Sequence, residues 1–223
     1  MSRFTRLDAR TLPRARRELT AADPALGAWI ARVRPVHPPP ASSHFRSLVR
    51  AILSQQLSNA AARTVCERTL ALCRNARAPQ PAEFLALEES ALRGAGVSGP
   101  KIRALRSLAT EFTSGALARC AFHRLPDEEI VQRLCTVKGI GRWTAEMFLL
   151  FSLRRADVWA PGDLALAAGV RRLIGATELD GAEAARLAES WRPWRSLAAL
   201  TCWRIAHWRE DDVPPRSSAL AAR

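Results

Sequence analysis

The chain has 223 residues, 48% hydrophobic and 25% charged, enough to bury a substantial core without disulfide or metal staples, as one bilobal domain or two small ones. Its net charge of +13, from 34 basic and 21 acidic residues spread along the whole length, favours a polyanionic partner, nucleic acid first. Charge alone does not decide this, because only Lys101 and Lys138 are lysines and an Arg- and Ala-rich chain also reflects genome composition. The five cysteines, Cys66, Cys73, Cys120, Cys135 and Cys202, are scattered without a CxxC pair and indicate neither zinc nor a disulfide framework.

Helix formers dominate, tyrosine is absent and Val/Ile/Thr runs of strand length are scarce, which predicts a mostly helical protein. The N-terminus carries charges where a signal peptide needs an apolar stretch, and no apolar run is long enough to cross a bilayer. A soluble, intracellular protein without membrane contact is expected.

Residues 1–20 are basic and weakly periodic; Asp23-Pro24 then reads as the cap and first turn of a helix over 25–34. The proline-rich stretch 34–43 reads as a stiff connection. Phe45, Leu48, Val49, Ile52 and Leu53 recur at helical spacing, and a second helix follows over 58–73. Short helices are predicted from Pro81, over 88–93, and from Ser98-Gly-Pro100 with Ile102, Leu105, Leu108 and Phe112 on one face. Pro126-Asp-Glu-Glu opens another, its acids placed against the macrodipole. The last third continues with helices over 164–174 and 182–208, and 210–223 reads as a frayed, flexible tail.

Gly139-Ile140-Gly141 allows a tight turn between the helix ending near Cys135 and the one beginning at Arg142, aiming backbone amides at a phosphate. An apolar helix and the turn Pro161-Gly162 then lead to Asp163. With Ala51-Ile-Leu-Ser-Gln-Gln-Leu-Ser58, the loop-helix at 96–108, Val137-Lys-Gly-Ile-Gly-Arg-Trp-Thr-Ala145, Asp157-Val-Trp-Ala-Pro-Gly-Asp-Leu164 and Trp191-Arg-Pro-Trp-Arg-Ser196, the chain resembles the helix-hairpin-helix DNA glycosylases over about 44–208. Within them it is similar to the 3-methyladenine DNA glycosylase II type, in a compact form without the N-terminal β domain.

That resemblance implies an all-α, two-lobed fold with a helix-hairpin-helix motif and an active-site cleft between the lobes. The lobes would span about 46–135, and about 1–45 plus 136–209. It implies a monomeric base excision repair enzyme, nucleoid-associated in the cytoplasm, that hydrolyses the N-glycosidic bond of alkylated purines such as 3-methyladenine and 7-methylguanine in double-stranded DNA. Asp163 becomes the catalytic carboxylate; it would also cap the helix at 164, and a capping aspartate stays ionised. Bifunctional members carry a lysine two residues after the second glycine, where this chain has Trp143, so no lyase activity is expected.

Trp143, Met147 and Trp203 match base-pocket positions, Met147 standing where some members have tyrosine. Gln56 matches the wedge that fills the gap left by the flipped base, with Leu57 as the alternative. Expected backbone contacts are Gly139, Gly141, Lys138 and Arg142 at the hairpin, and Ser98 and Lys101 at the loop-helix. The resemblance also implies a structural Na+ or K+ on the carbonyls of Cys135, Val137 and Ile140. No cofactor is required, and one C-terminal cysteine, Cys202, cannot hold an iron-sulfur cluster. Two other readings remain: a glycosylase for uracil, mispaired thymine or hypoxanthine, and a non-catalytic DNA damage-binding module.

Overall fold

The computed structural model describes residues 4–35 and 43–209, apart from the Asn59 side chain. Most of the proline-rich connection and the tail at 210–223 lie outside the described residues. The described chain is all-helical, its one β feature being an isolated antiparallel bridge between Arg6 and Arg155. Among the described residues no helix is long and apolar enough to cross a membrane.

The chain divides into two compact units, one holding residues 43–153 and the other combining 5–35 with 154–209. The sequence reading drew the boundary near 135; here the hairpin and the helix after it belong with the first unit.

The N-terminal helix α1 (Leu12–Ala22) was not foreseen, since its buried stripe is only Ala15 and Leu19 between arginines. The helix α2 (Pro24–Val33) follows directly, with Asp23 accepting from the Leu26 amide at 2.9 Å as its N-cap. The first unit is built on α3 (His44–Ser54), which buries Phe45, Leu48, Val49, Ile52 and Leu53, each contributing about 1.5–3 kcal/mol on full burial. Around it lie α4 (Asn59–Ala71), α5 (Pro81–Ala86), α6 (Glu89–Gly94), α7 (Gly99–Thr113) and α8 (Asp127–Cys135). Helix α9 (Arg142–Met147) closes this unit, followed by a π turn at Phe148–Ser152 that packs on α3.

In the second unit, α10 (Leu164–Ile174) packs most closely on α12 (Arg195–Ala206). A Cβ at Gly169 would lie 2.2 Å from the Cys202 carbonyl oxygen, so this approach requires glycine. The helical pattern expected over 182–208 resolves into α11 (Gly181–Ala188), a 3-10 turn at Glu189–Trp191 and α12. Pro193 lacks the N–H a continuous helix needs there. The indoles of Trp191 and Trp194 donate to Asp23 (2.9 Å) and Glu18 (2.6 Å), tying the N-terminal helices to the C-terminal segment. Trp159, Trp191, Trp194 and Trp208 are buried, as expected of core residues, and Trp29 meets Trp208 edge-on with the Arg32 guanidinium over both rings.

Candidate active site and nucleic-acid interface

Asp163 is held by three donors that converge on one oxygen. As the N-cap of α10, its Oδ1 accepts from the amides of Ala165 (2.9 Å) and Leu166 (3.0 Å), and the Trp203 indole N–H donates to the same oxygen at 3.2 Å. The turn before it closes through the Asp163 amide on the Ala160 carbonyl (3.0 Å). The approach segment is fixed further back. Ser196, 1% exposed, donates to the Arg155 carbonyl (2.6 Å) and accepts from the Val158 amide (3.0 Å), and Arg195 grips Asp157 through Nε at 2.7 Å and Nη2 at 3.1 Å. The carboxylate is therefore oriented by helix, loop and indole together.

Trp203 thus does more than the pocket role the sequence suggests: half-buried, it aims its N–H at the carboxylate. The close α10–α12 approach at Gly169 brings the indole within reach.

In the first unit, the hairpin turns at Gly139 with φ 83°, a left-handed conformation that favours glycine. A Cβ there would lie 2.7 Å from the Ala104 Cβ on α7, so the close approach demands glycine as well. Gly141 differs: its backbone is extended (φ −95°, ψ 174°), and a Cβ would meet nothing within 4 Å. The fold leaves space at Gly141. Val137 and Ile140 close the turn by a backbone bond of 3.0 Å, and the Lys138 amide donates to the Ser107 hydroxyl (3.1 Å) while its side chain is exposed.

Two expected phosphate ligands make bonds within the protein. Arg142 forms a fork with Glu128 (3.0 and 2.7 Å) and reaches the buried Glu146 (3.1 Å). The bonds from Glu128 hold its guanidinium above the ordinary arginine range, and Glu128 is correspondingly held below the usual carboxylate value. Lys101 turns inward to the carbonyls of Leu53 (2.7 Å) and Gln55 (2.8 Å), and burial pushes its ammonium below the usual lysine value. Ser98 stays exposed as the N-cap of α7, its hydroxyl making no capping bond.

Gln55, Gln56, Ser98, Pro100, Lys101, Trp143 and Thr144 line a groove of about 390 Å³ in this unit. Trp143 is 43% exposed; Met147 is 8% exposed and is not among the lining residues. Gln56, at φ 55°, and Leu57, 40% exposed, form the turn between α3 and α4. Gln55 escaped the sequence reading: its Nε2 donates to the Gly139 carbonyl and to the Thr144 hydroxyl, both at 3.1 Å. Partners 84 and 89 residues away leave no local trace. Among the described residues no group of three or more His, Cys, Asp or Glu could hold a metal ion. For a carbonyl-bound cation, the Val137 oxygen already accepts the Ile140 amide and keeps a second lone pair.

Along the chain, a glycine hairpin between two helices is thus followed by an oriented loop whose aspartate caps the next helix. Residues 49–195 match the family described as HhH-GPD superfamily base excision DNA repair protein, and the chain belongs to that family. Among its relatives, DNA-3-methyladenine glycosylase 1 of Schizosaccharomyces pombe is 34% identical over 174 residues, 77% of this chain and 76% of the relative. DNA-3-methyladenine glycosylase 2 of Escherichia coli is 32% identical over 76% of this chain and 60% of its own length. The solved structure of the S. pombe 3-methyladenine DNA glycosylase in complex with abasic DNA superposes with a TM-score of 0.76 at 32% identity, covering 86% of this chain and 95% of that one.

Proposed function

We propose that this protein excises alkylated purines from duplex DNA as a monofunctional glycosylase, with Asp163 as its catalytic carboxylate. The observation that carries the reading is the orientation of Asp163 by two helix amides and the Trp203 indole. As the C1′–N bond of the damaged nucleotide breaks, its electron pair passes to the base and positive charge develops on the sugar. An anion fixed beforehand stabilises that charge without reorganising. A water oxygen then bonds to C1′, and its proton passes to the carboxylate or solvent. Sugar hydrolases ordinarily use a second carboxyl group to protonate the leaving group. An N-alkylated purine already carries a positive charge and departs neutral, so one carboxylate suffices.

Trp143 supports the same reading in two ways. It supplies no amine for a Schiff base, and its exposed ring suits a cationic base, a contact that contributes about 0.5–2 kcal/mol. The relatives named for 3-methyladenine support that substrate class. The open space at Gly141 and the exposed Lys138 fit a phosphate at the hairpin; the carbonyls of Cys135, Val137 and Ile140 would hold a monovalent cation that reinforces the turn. Gln56 at its exposed turn is the wedge candidate.

The test is a profile of released bases. Duplexes carrying 3-methyladenine or 7-methylguanine should yield free base without strand cleavage, and uracil or hypoxanthine duplexes should not. Uracil or hypoxanthine release alone would replace the substrate class, cleavage of the strand would overturn the monofunctional reading, and binding without release from any duplex would overturn the enzymatic one.

A further inference from the structure

The turn between α3 and α4 is exposed and left-handed at Gln56, yet it is clamped on both sides. Residues other than glycine rarely adopt φ 55° unless the surroundings hold them there, and such strain collects where a side chain must be presented. Behind the turn, the Lys101 ammonium binds the carbonyls of Leu53, in the last turn of α3, and of Gln55, its C-cap. This is the place where a cation best complements a helix end. In front of the turn, the Gln55 side chain spans to the Gly139 carbonyl in the hairpin and to Thr144 in α9, a hydroxyl on a residue 3% exposed. The hairpin itself rests on α7 at Ala104, one turn along the helix that carries Lys101. Turn, hairpin and α7 form a closed frame.

We propose that Gln55 and Lys101 are positioning residues for base extrusion: they fasten the Gln56–Leu57 turn to the hairpin and to α7. A phosphate held at the hairpin then fixes how deeply Gln56 enters the base stack. The proposal rests on the glycosylase reading above. A wedge on a free loop would yield as the duplex resists opening; a wedge on this frame transmits that load to the phosphate grip. Neither Gln55 nor Lys101 touches the reacting atoms in this account, and both act through Gln56.

The test separates extrusion from chemistry and from folding. Gln55→Glu is nearly isosteric but sets an acceptor against the Gly139 carbonyl, and Lys101→Met keeps the stem while withdrawing the ammonium. Each variant and the wild type release 7-methylguanine in single-turnover reactions from two duplexes: one fully paired, one with an abasic analogue opposite the lesion, where extrusion is easier. A 2-aminopurine beside the lesion reports unstacking.

Release from the paired duplex should slow by about tenfold or more with a smaller fluorescence rise, while release from the weakened duplex stays within about threefold of wild type. Lys101→Arg should restore most of the rate. Thr144→Val, which removes only an acceptor of Gln55, should shift the ratio in the same direction and serves if the other variants fold poorly. Equal slowing on both duplexes, or none on either, would overturn the proposal. A wild-type protein that releases base from neither duplex would instead remove the glycosylase reading.

Discussion

The two hairpin glycines should respond in opposite ways to one added methyl group. At Gly139 an alanine must adopt φ 83°, which costs about 1–2 kcal/mol for an L-residue. Its Cβ also lands 2.7 Å from the Ala104 Cβ, on a residue 2% exposed in a 15-residue helix that cannot recede locally, an overpacking of about 1–3 kcal/mol. Gly139→Ala should therefore lose about 2–5 kcal/mol, a fall in Tm of about 4–20 °C at about 2–4 °C per kcal/mol for a domain of this size. Gly141→Ala meets nothing within 4 Å on an extended backbone. Its gain of about 0.4–1 kcal/mol from a stiffer unfolded chain is offset by the poorer N-cap, leaving stability within about 1 kcal/mol of wild type. In the proposed phosphate grip that methyl group occupies the face of the anion, so duplex affinity should fall about tenfold, as loss of one charge-assisted bond does. The assays are thermal or urea unfolding and duplex binding by fluorescence anisotropy at fixed salt. Wild-type affinity in Gly141→Ala, or wild-type stability in Gly139→Ala, would refute the division of labour.

Trp203→Phe keeps an aromatic ring but deletes the N–H on Asp163; kcat should drop about tenfold with binding to an abasic duplex unchanged, and an unchanged kcat would make the indole a pocket wall only. Arg142→Met removes one ion-pair partner of the buried Glu146 and the exposed fork with Glu128, and should cost about 0.5–2 kcal/mol in urea unfolding, while the salt dependence of DNA binding keeps its slope; a slope reduced by about one would make Arg142 a phosphate ligand. Burial pushes the Cys73 thiol up to about 11, from 9.0 unperturbed. A raised folded-state value stabilises fully below pH 9.0 and is lost as pH climbs to about 11, so stability should decline across that window, and Cys73→Ala should flatten the decline.

The parts legible in sequence are those built from punctuating residues. Asp23-Pro24, Ser98-Gly-Pro100, Gly139-Ile-Gly141 and Pro161-Gly-Asp163 mark helix starts and turns whose geometry is local, and the helices follow as read. Helix α1 leaves little trace in the sequence because only Ala15 and Leu19 anchor it among arginines. Roles that depend on distant partners were not legible. The partners of Arg142 and Lys101, Glu128 and the carbonyls of Leu53 and Gln55, leave no local signal in the chain, and neither does the hairpin carbonyl that Gln55 reaches. Trp203 is a pocket aromatic by position; only the fold shows where its N–H points.

If Asp163 alone performs the chemistry, Asp163→Asn is the decisive variant. Asparagine caps helices as well as aspartate, so the fold and DNA affinity should persist while release of 7-methylguanine falls by about 10²–10³ or more under single-turnover conditions. Release at the wild-type rate by a variant that binds duplex normally would contradict the account.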